Sequence, residues 1–179
     1  MENMELVKVT KENIEEAVSL QKELFPDENG RANLEASLMD GSVFTYALIY
    51  EEGELAGIIG IYEYDEDHES AWLGWFGIRE GLRRRQLGSK AIRRFEEEAS
   101  ARRYRFARLY TDASDNDAAI AFYRKNGYVS ELYMNPDDPA SIEYPMLIFS
   151  KSLTFDPLVP WNSRNIHLTE QIDLQNRQK

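Results

Sequence analysis

"IREGLRRRQLGSKAIRRF", residues 78–95, decides how the rest of the chain is read. It holds seven of the 21 Lys and Arg, although the 179 residues carry 32 acids and a net charge of −11. A basic cluster in so acidic a chain needs a local cause. From about Gly88 onward, Ala91, Ile92, Phe95 and Ala99 recur at helical spacing and predict a helix with one apolar face. Arg93 and Glu97, and Arg94 and Glu98, stand four apart, which makes those two arginines a charge-paired surface. Arg83, Arg84 and Arg85 precede the helix and Lys90 lies in its first turn, where the macrodipole is already positive. Cations are misplaced there unless an anion joins them. A strand, a short basic loop with a glycine and a helix N-terminus together form a phosphate cradle. The loop by itself also fits a solvated basic run or a nucleic-acid patch.

Outward from this stretch, "ELVKV" alternates like a strand and Thr10 is an N-cap for a helix carrying Ile14, Ala17, Val18, Gln21 and Leu24. "FPDENG" breaks that helix and "RANLEASLMD" predicts a second. "SVFTYALIY" and "LAGIIGIYEY" form a hairpin across "EEGE", and "AWLGWFGI" is the next strand, leading straight into the basic loop. "RFARLYT" is a strand, "NDAAIAFYRKNG" a helix ended by Gly127, and "YVSELYM" and "YPMLIFSKSL" are the last two strands. The order β-α-α-β-β-β-α-β-α-β-β describes a mixed α/β sheet, neither a doubly wound nucleotide fold nor a barrel. One domain over 1–153 is expected, followed by a C-terminal extension over 154–179 of different character. That extension packs on its own domain or crosses to a partner subunit in a homodimer, the second reading resting on Trp161, Ile166 and Leu168.

Bulk composition excludes several classes. No cysteine is present, so disulfides and thiolate nucleophiles are ruled out, and two histidines make a histidine-rich metal site unexpected. The acidic start "MENMELVKVTKENIEEA" does not match a leader, and no apolar run approaches a membrane span; a cytoplasmic protein without membrane or nucleic-acid partners is expected.

A second motif accompanies the basic loop. In "NDAAIAFYRKNGY", Asn116 and Tyr123 are two helical turns apart and share one face. With the loop Arg83, Arg84, Arg85, Gln86, Leu87, Gly88 and the pattern Asn116, Ala119, Tyr123, Gly127, Tyr128, the chain resembles the GNAT superfamily of acyl-coenzyme A-dependent N-acyltransferases over residues 5 to 153. The family patterns are [QR]-x-x-G-x-[GA] and N-x-x-A-x-x-x-Y-x-x-x-G-[FY], in this order. One position departs: Gln86 stands where the family has its first loop glycine, whose smallness lets the amides approach a pyrophosphate.

The resemblance implies an α/β (α+β) fold, with a mostly antiparallel sheet of about seven strands, about four helices, and a splay between the fourth and fifth strands. It implies acetyl-coenzyme A as acyl donor and no metal. Its pyrophosphate would lie on the amides of Arg84 to Ser89 and its pantetheine along Phe76, Gly77 and Ile78, with Asn116 bonding the pantetheine. The cofactor-binding set is thus Phe76, Gly77, Ile78, Arg83, Arg84, Arg85, Gln86, Leu87, Gly88, Ser89, Asn116 and Tyr123. The reaction implied is acetyl transfer to a primary amine of a small molecule or protein. Tyr123 would protonate the leaving thiolate, a nearly balanced transfer at the ordinary values of about 8.5 and about 10.

Relatives place a glutamate base on the strand before the loop, where this chain has Trp72; Glu69 is the nearest substitute, with His68, Glu63 and Asp112 as alternatives. Segments that line the acceptor side in relatives, "FPDENG" and "NPDDPASIE", are acidic here, so a cationic acceptor is expected. Tyr62, Tyr64, Trp72 and Trp75 offer aromatic contact or core packing. The alternative reading is a non-catalytic acyl-coenzyme A-binding or regulatory module on the same fold.

Overall fold

The computed structural model describes residues 3–83, 85–135, 137, 145–164 and 168. The described residues form two compact units, the first from residues 3–63 together with Leu73–Glu97, the second from Tyr64–Trp72 together with the described residues between Glu98 and Leu168.

In the first unit, β1 (Met4–Lys8) pairs antiparallel with β2 (Thr45–Glu51), and β2 with β3 (Glu54–Tyr64). Glu52 and Gly53, both at positive φ (52° and 81°), make the two-residue turn whose twist suits a hairpin. Helices α1 (Ile14–Leu24) and α2 (Arg31–Ala36) follow β1 in sequence. Their apolar faces supply Ala17, Val18, Leu20 and Leu34 to a core shared with Val9, Tyr46, Leu48 and Ile58. Thr10 is not the N-cap: α1 begins after Asn13, whose Oδ1 accepts the Thr10 N–H at 2.7 Å. Its Nδ2 donates to the Lys8 carbonyl, so a turn tied back to β1 occupies the first residues that the spacing assigned to the helix.

Strand β4 (Asp67–Ile78) runs through both units, and α3 (Leu87–Ala101) follows the basic loop. Ala91, Ile92, Phe95 and Ala99 of α3 are buried, as their spacing required. The acids of the expected charge pairs take other partners. Arg94 meets Glu97 at 3.7 Å, and Glu98 is bound by Arg102 at 2.7 Å, in the favoured acid-first orientation.

The second unit contains β5 (Phe106–Asp112), α4 (Asp117–Lys125), β6 (Val129–Leu132) and β7 (Met146–Ser152). Gly127, at φ 90°, turns the chain out of α4 in a conformation that favours glycine. Seven strands make one sheet in the order β1-β2-β3-β4-β5-β7-β6. β5–β7 and β6–β7 are antiparallel, while β4–β5 is parallel and its register runs only from Ser70↔Phe106 to Trp72↔Arg108. That short ladder is the splay implied by the resemblance.

The described part of the C-terminal extension belongs to the second unit. Arg108, fully buried on β5, donates to Ser70 (2.9 Å), Ser150 (2.8 Å) and the Val159 carbonyl (2.6 Å), and stacks between the rings of Phe106 and Trp161. Glu131 accepts the N–H groups of Trp161 and Asn162 at 2.8 and 2.9 Å. Trp161 and Leu168, two residues that suggested a partner-crossing tail, are buried within this chain; Ile166 lies outside the described residues. No helix among the described residues is long and apolar enough to cross a membrane.

Candidate functional site

The site elements of the first unit are built by the end of β4. Ile78 is buried, and the next residue anchors the exit: Arg79 donates through Nε to the Glu23 carboxylate at 2.8 Å and through its guanidinium to the Leu55 carbonyl at 3.1 Å, while its backbone N–H meets the Ala56 carbonyl at 2.8 Å. After a 3-10 turn over Glu80–Leu82, Arg83 donates through Nε to the Ile78 carbonyl at 2.9 Å. The Nε of this guanidinium, expected at the phosphates, thus braces the strand end by a charge-assisted hydrogen bond. Arg84 lies outside the described residues, and Arg85 is exposed.

Gln86 is exposed at φ 59°, in the left-handed region where a glycine would sit without strain. The glycine preference at this position therefore has a backbone cause. The Gln86 side chain is exposed. Leu87 is 1% exposed and seats the first turn of α3 in the core. Lys90 to Gln86, at 3.1 Å, is the first helical hydrogen bond among the described residues. The N–H groups of Leu87, Gly88 and Ser89 thus precede the intrahelical ladder and suit an anion.

Upstream on β4, Phe76 and Gly77 are half-buried. A Cβ at Gly77 would meet Leu24 and the Phe25 ring at 3.2 Å, so the α1–α2 loop lies directly over this strand segment. Trp75 stacks on Tyr46 with ring centroids 5.3 Å apart, and its indole N–H donates to the Glu28 carboxylate at 2.5 Å. Glu28 was not singled out from sequence; its only signal there was an acid in "FPDENG". The Tyr46 ring crosses Gly60, where a Cβ would come within 2.6 Å of it, and Phe44 stacks on Tyr62 at 5.1 Å.

The second unit carries the other motif. Asn116 is the N-cap residue of α4 without capping it by its side chain; its Nδ2 donates instead to Thr111 at the end of β5. Tyr123 is packed by Phe122 (5.2 Å), Phe149 (5.4 Å) and Tyr128 (6.2 Å), and burial pushes its phenol up to about 12. The ordinary value for a phenol is about 10. Trp72, at the position where relatives carry a glutamate, is fully buried between Tyr64 and Trp161. The carboxylate of Glu69 binds Arg105, which also holds Asp156 at 3.1 Å, and the Glu69 carbonyl accepts the Arg105 N–H at 2.8 Å. The second acidic segment, residues 135–143, lies mostly outside the described residues. Among the described residues, no group of His, Cys, Asp and Glu could hold a metal ion.

Comparison with known proteins gives the family and the fold. The Acetyltransferase (GNAT) family profile matches residues 10–128. No curated protein matches the chain. Among solved structures, the ribosomal-protein-S18-alanine N-acetyltransferase from Escherichia coli superposes with a TM-score of 0.67 at 14% identity, covering 88% of this chain and 99% of that one. A chimera of the spermidine N-acetyltransferase SpeG from Vibrio cholerae and hSSAT gives 0.66 at 15% identity, covering 84% and 96%. The ribosomal L7/L12 alpha-N-protein acetyltransferase RimL, solved in complex with coenzyme A, gives 0.66 at 15%, covering 84% and 94%. At these identities the likeness is one of fold.

Proposed function

Because the chain belongs to the GNAT family of acetyltransferases, we propose that it transfers an acetyl group from acetyl-coenzyme A to a primary amine of a cationic small molecule or protein. The observation that carries this reading is the exit of β4: a strand end braced by Arg79 and Arg83, leading into helix N-terminal amides ahead of the first α3 hydrogen bond.

In this reading Leu87, Gly88 and Ser89 give their amides to the phosphates, and Arg85 adds charge at the rim. Phe76, Gly77 and Ile78 would present backbone to the pantetheine, and the resemblance implies Asn116 as a further hydrogen-bond partner for it. When bound, acetyl-coenzyme A supplies an activated thioester. A backbone N–H from the strand ending at Ile78 stabilises the negative charge that grows on the carbonyl oxygen. Tyr123 stays protonated at neutral pH. Burial pushes its phenol above the ordinary value, which favours keeping the proton on the phenol. Tyr123 therefore serves as a hydrogen-bond donor to the sulfur while charge develops there. Glu69 can take the acceptor's proton only by parting from Arg105.

Buried Trp72, in place of a carboxylate, favours the second reading, a binding module without turnover. Acetyl-coenzyme A raises the melting temperature under both readings. Free thiol released on adding an amine panel occurs under the first alone, and its absence with every amine would leave the second.

A further inference from the structure

The α1–α2 loop carries an acid that is held in place without being buried. Gln21, fully buried in α1, accepts the Gly30 N–H at 3.1 Å and donates to the Glu28 carbonyl at 3.3 Å. A Cβ at Gly30 would stand 2.2 Å from the Gln21 side chain, so the loop closes on that amide only because residue 30 is glycine. Glu28 N–H meets the Phe25 carbonyl at 3.1 Å, and Phe25 lies against Gly77. The exposed Glu28 carboxylate is then fixed by the Trp75 indole at 2.5 Å, one residue before the strand segment Phe76–Ile78. Indole and carboxylate together form a rigid corner with one negative charge and one half-exposed aromatic face. Both attract a cation, and the carboxylate has lost the rotamer freedom that weakens surface ion pairs.

We infer that Glu28, oriented by Trp75, anchors a second positive charge on the acceptor, so that a dication is preferred to a monocation of the same length. This deepens the proposed acetyl-transfer reading and rests on its placement of the thioester beside Phe76–Ile78. A solvent-exposed carboxylate is a poor base for an alkylammonium, which makes anchoring its fitting role. Trp75 acts by positioning Glu28 and by offering its ring.

The test compares 1,4-diaminobutane with 1-butylamine, which differ by one ammonium group. In the wild type, kcat/KM measured by thiol release should favour the diamine. Glu28→Gln should lower that preference roughly three- to tenfold, chiefly through KM, and Trp75→Phe should lower it less. Glu12→Gln, which removes an equal charge elsewhere, should leave the preference unchanged. Equal preference in wild type and Glu28→Gln would overturn the anchor. If no amine releases thiol, the activity reading fails, yet the anchor is still decided by fluorescence. Trp72 and Trp161 are fully buried, so Trp75 is the indole placed to report a bound cation. A saturable emission change with 1,4-diaminobutane in the wild type, lost in Glu28→Gln, upholds the corner; no change in the wild type sinks it.

Discussion

Trp161 stands edge-on to Trp72, with ring centroids 4.8 Å apart and planes at 80°. Both rings are fully buried, and Trp161 also leans on Tyr64 at 5.4 Å and covers the Arg108 guanidinium. The first part of the extension is therefore core of the second unit. Trp161→Ala should destabilise the protein by about 3–5 kcal/mol, the usual cost of deleting a buried large aromatic. Urea denaturation checks this, and a loss under 1 kcal/mol would mean that the segment only rests on the surface. Truncation after Leu153 should do at least as much damage, because Arg108 would lose the Val159 carbonyl as well.

Tyr123→Phe should reduce kcat more than it weakens acetyl-coenzyme A binding, since the hydroxyl is assigned to the sulfur as charge develops. Its raised pKa also makes a stability prediction. The folded state holds the phenolic proton up to about pH 12, whereas an unfolded chain releases it near 10. The folded state therefore binds more protons between those values, and stability falls as pH rises through them. Below pH 10 the contribution is fully present. Wild type should lose up to about 2–3 kcal/mol relative to Tyr123→Phe between pH 10 and 12. Parallel slopes for the two proteins in denaturation at pH 9 and pH 11.5 would contradict this.

The element order was legible because it is written in local signals. Alternation across Thr45–Glu51, the turn at Glu52–Gly53, helical spacing through Phe95 and the terminating Gly127 each need only neighbours in sequence. The basic loop also announced its helix start. What escaped were choices between partners. Nothing local says that Glu98 takes Arg102 rather than Arg94, or that Arg83 turns back to the Ile78 carbonyl. Glu28 and Trp75 are 47 residues apart, and Arg108 and Val159 are 51 apart, so their bonds exist only once the sheet is assembled. Arg108 was not singled out from sequence, and the tail residues Val159 and Trp161 are among those that cover it.

Gln86 offers a test of the loop that separates backbone from side chain. At φ 59° a residue with a Cβ is strained, so Gln86→Gly should stabilise the fold by a few tenths to about 1 kcal/mol, the relief being offset in part by glycine's greater freedom when unfolded. The exposed side chain leaves acetyl-coenzyme A affinity the same or modestly tighter after the change. Gly88→Trp, in contrast, should abolish binding by covering the amides of the first turn. A melting-temperature series with and without acetyl-coenzyme A reads both. Loss of binding in Gln86→Gly, or its survival in Gly88→Trp, would place the phosphates elsewhere.

Asn162 occupies the outer edge of β6 as an incoming strand would. Its Nδ2 donates to the Leu132 carbonyl at 2.8 Å, and its Oδ1 accepts the Met134 N–H at 3.0 Å. The intervening Tyr133 N–H turns inward to the Met146 carbonyl, so the side-chain amide satisfies two of the groups that the edge presents outward. Around it Val129, Leu132 and Met134 are 62%, 49% and 65% exposed, an apolar edge of the kind that pairs with other chains. Asn162→Ala uncovers one donor and one acceptor beside that surface. Sedimentation over a concentration series should show more self-association in the variant than in the wild type. Thermal stability should fall by about 1–2 kcal/mol for the two lost bonds. Asn162→Asp keeps the acceptor and loses the donor, so it should fall between them; if all three sediment alike, the amide is not what guards the edge.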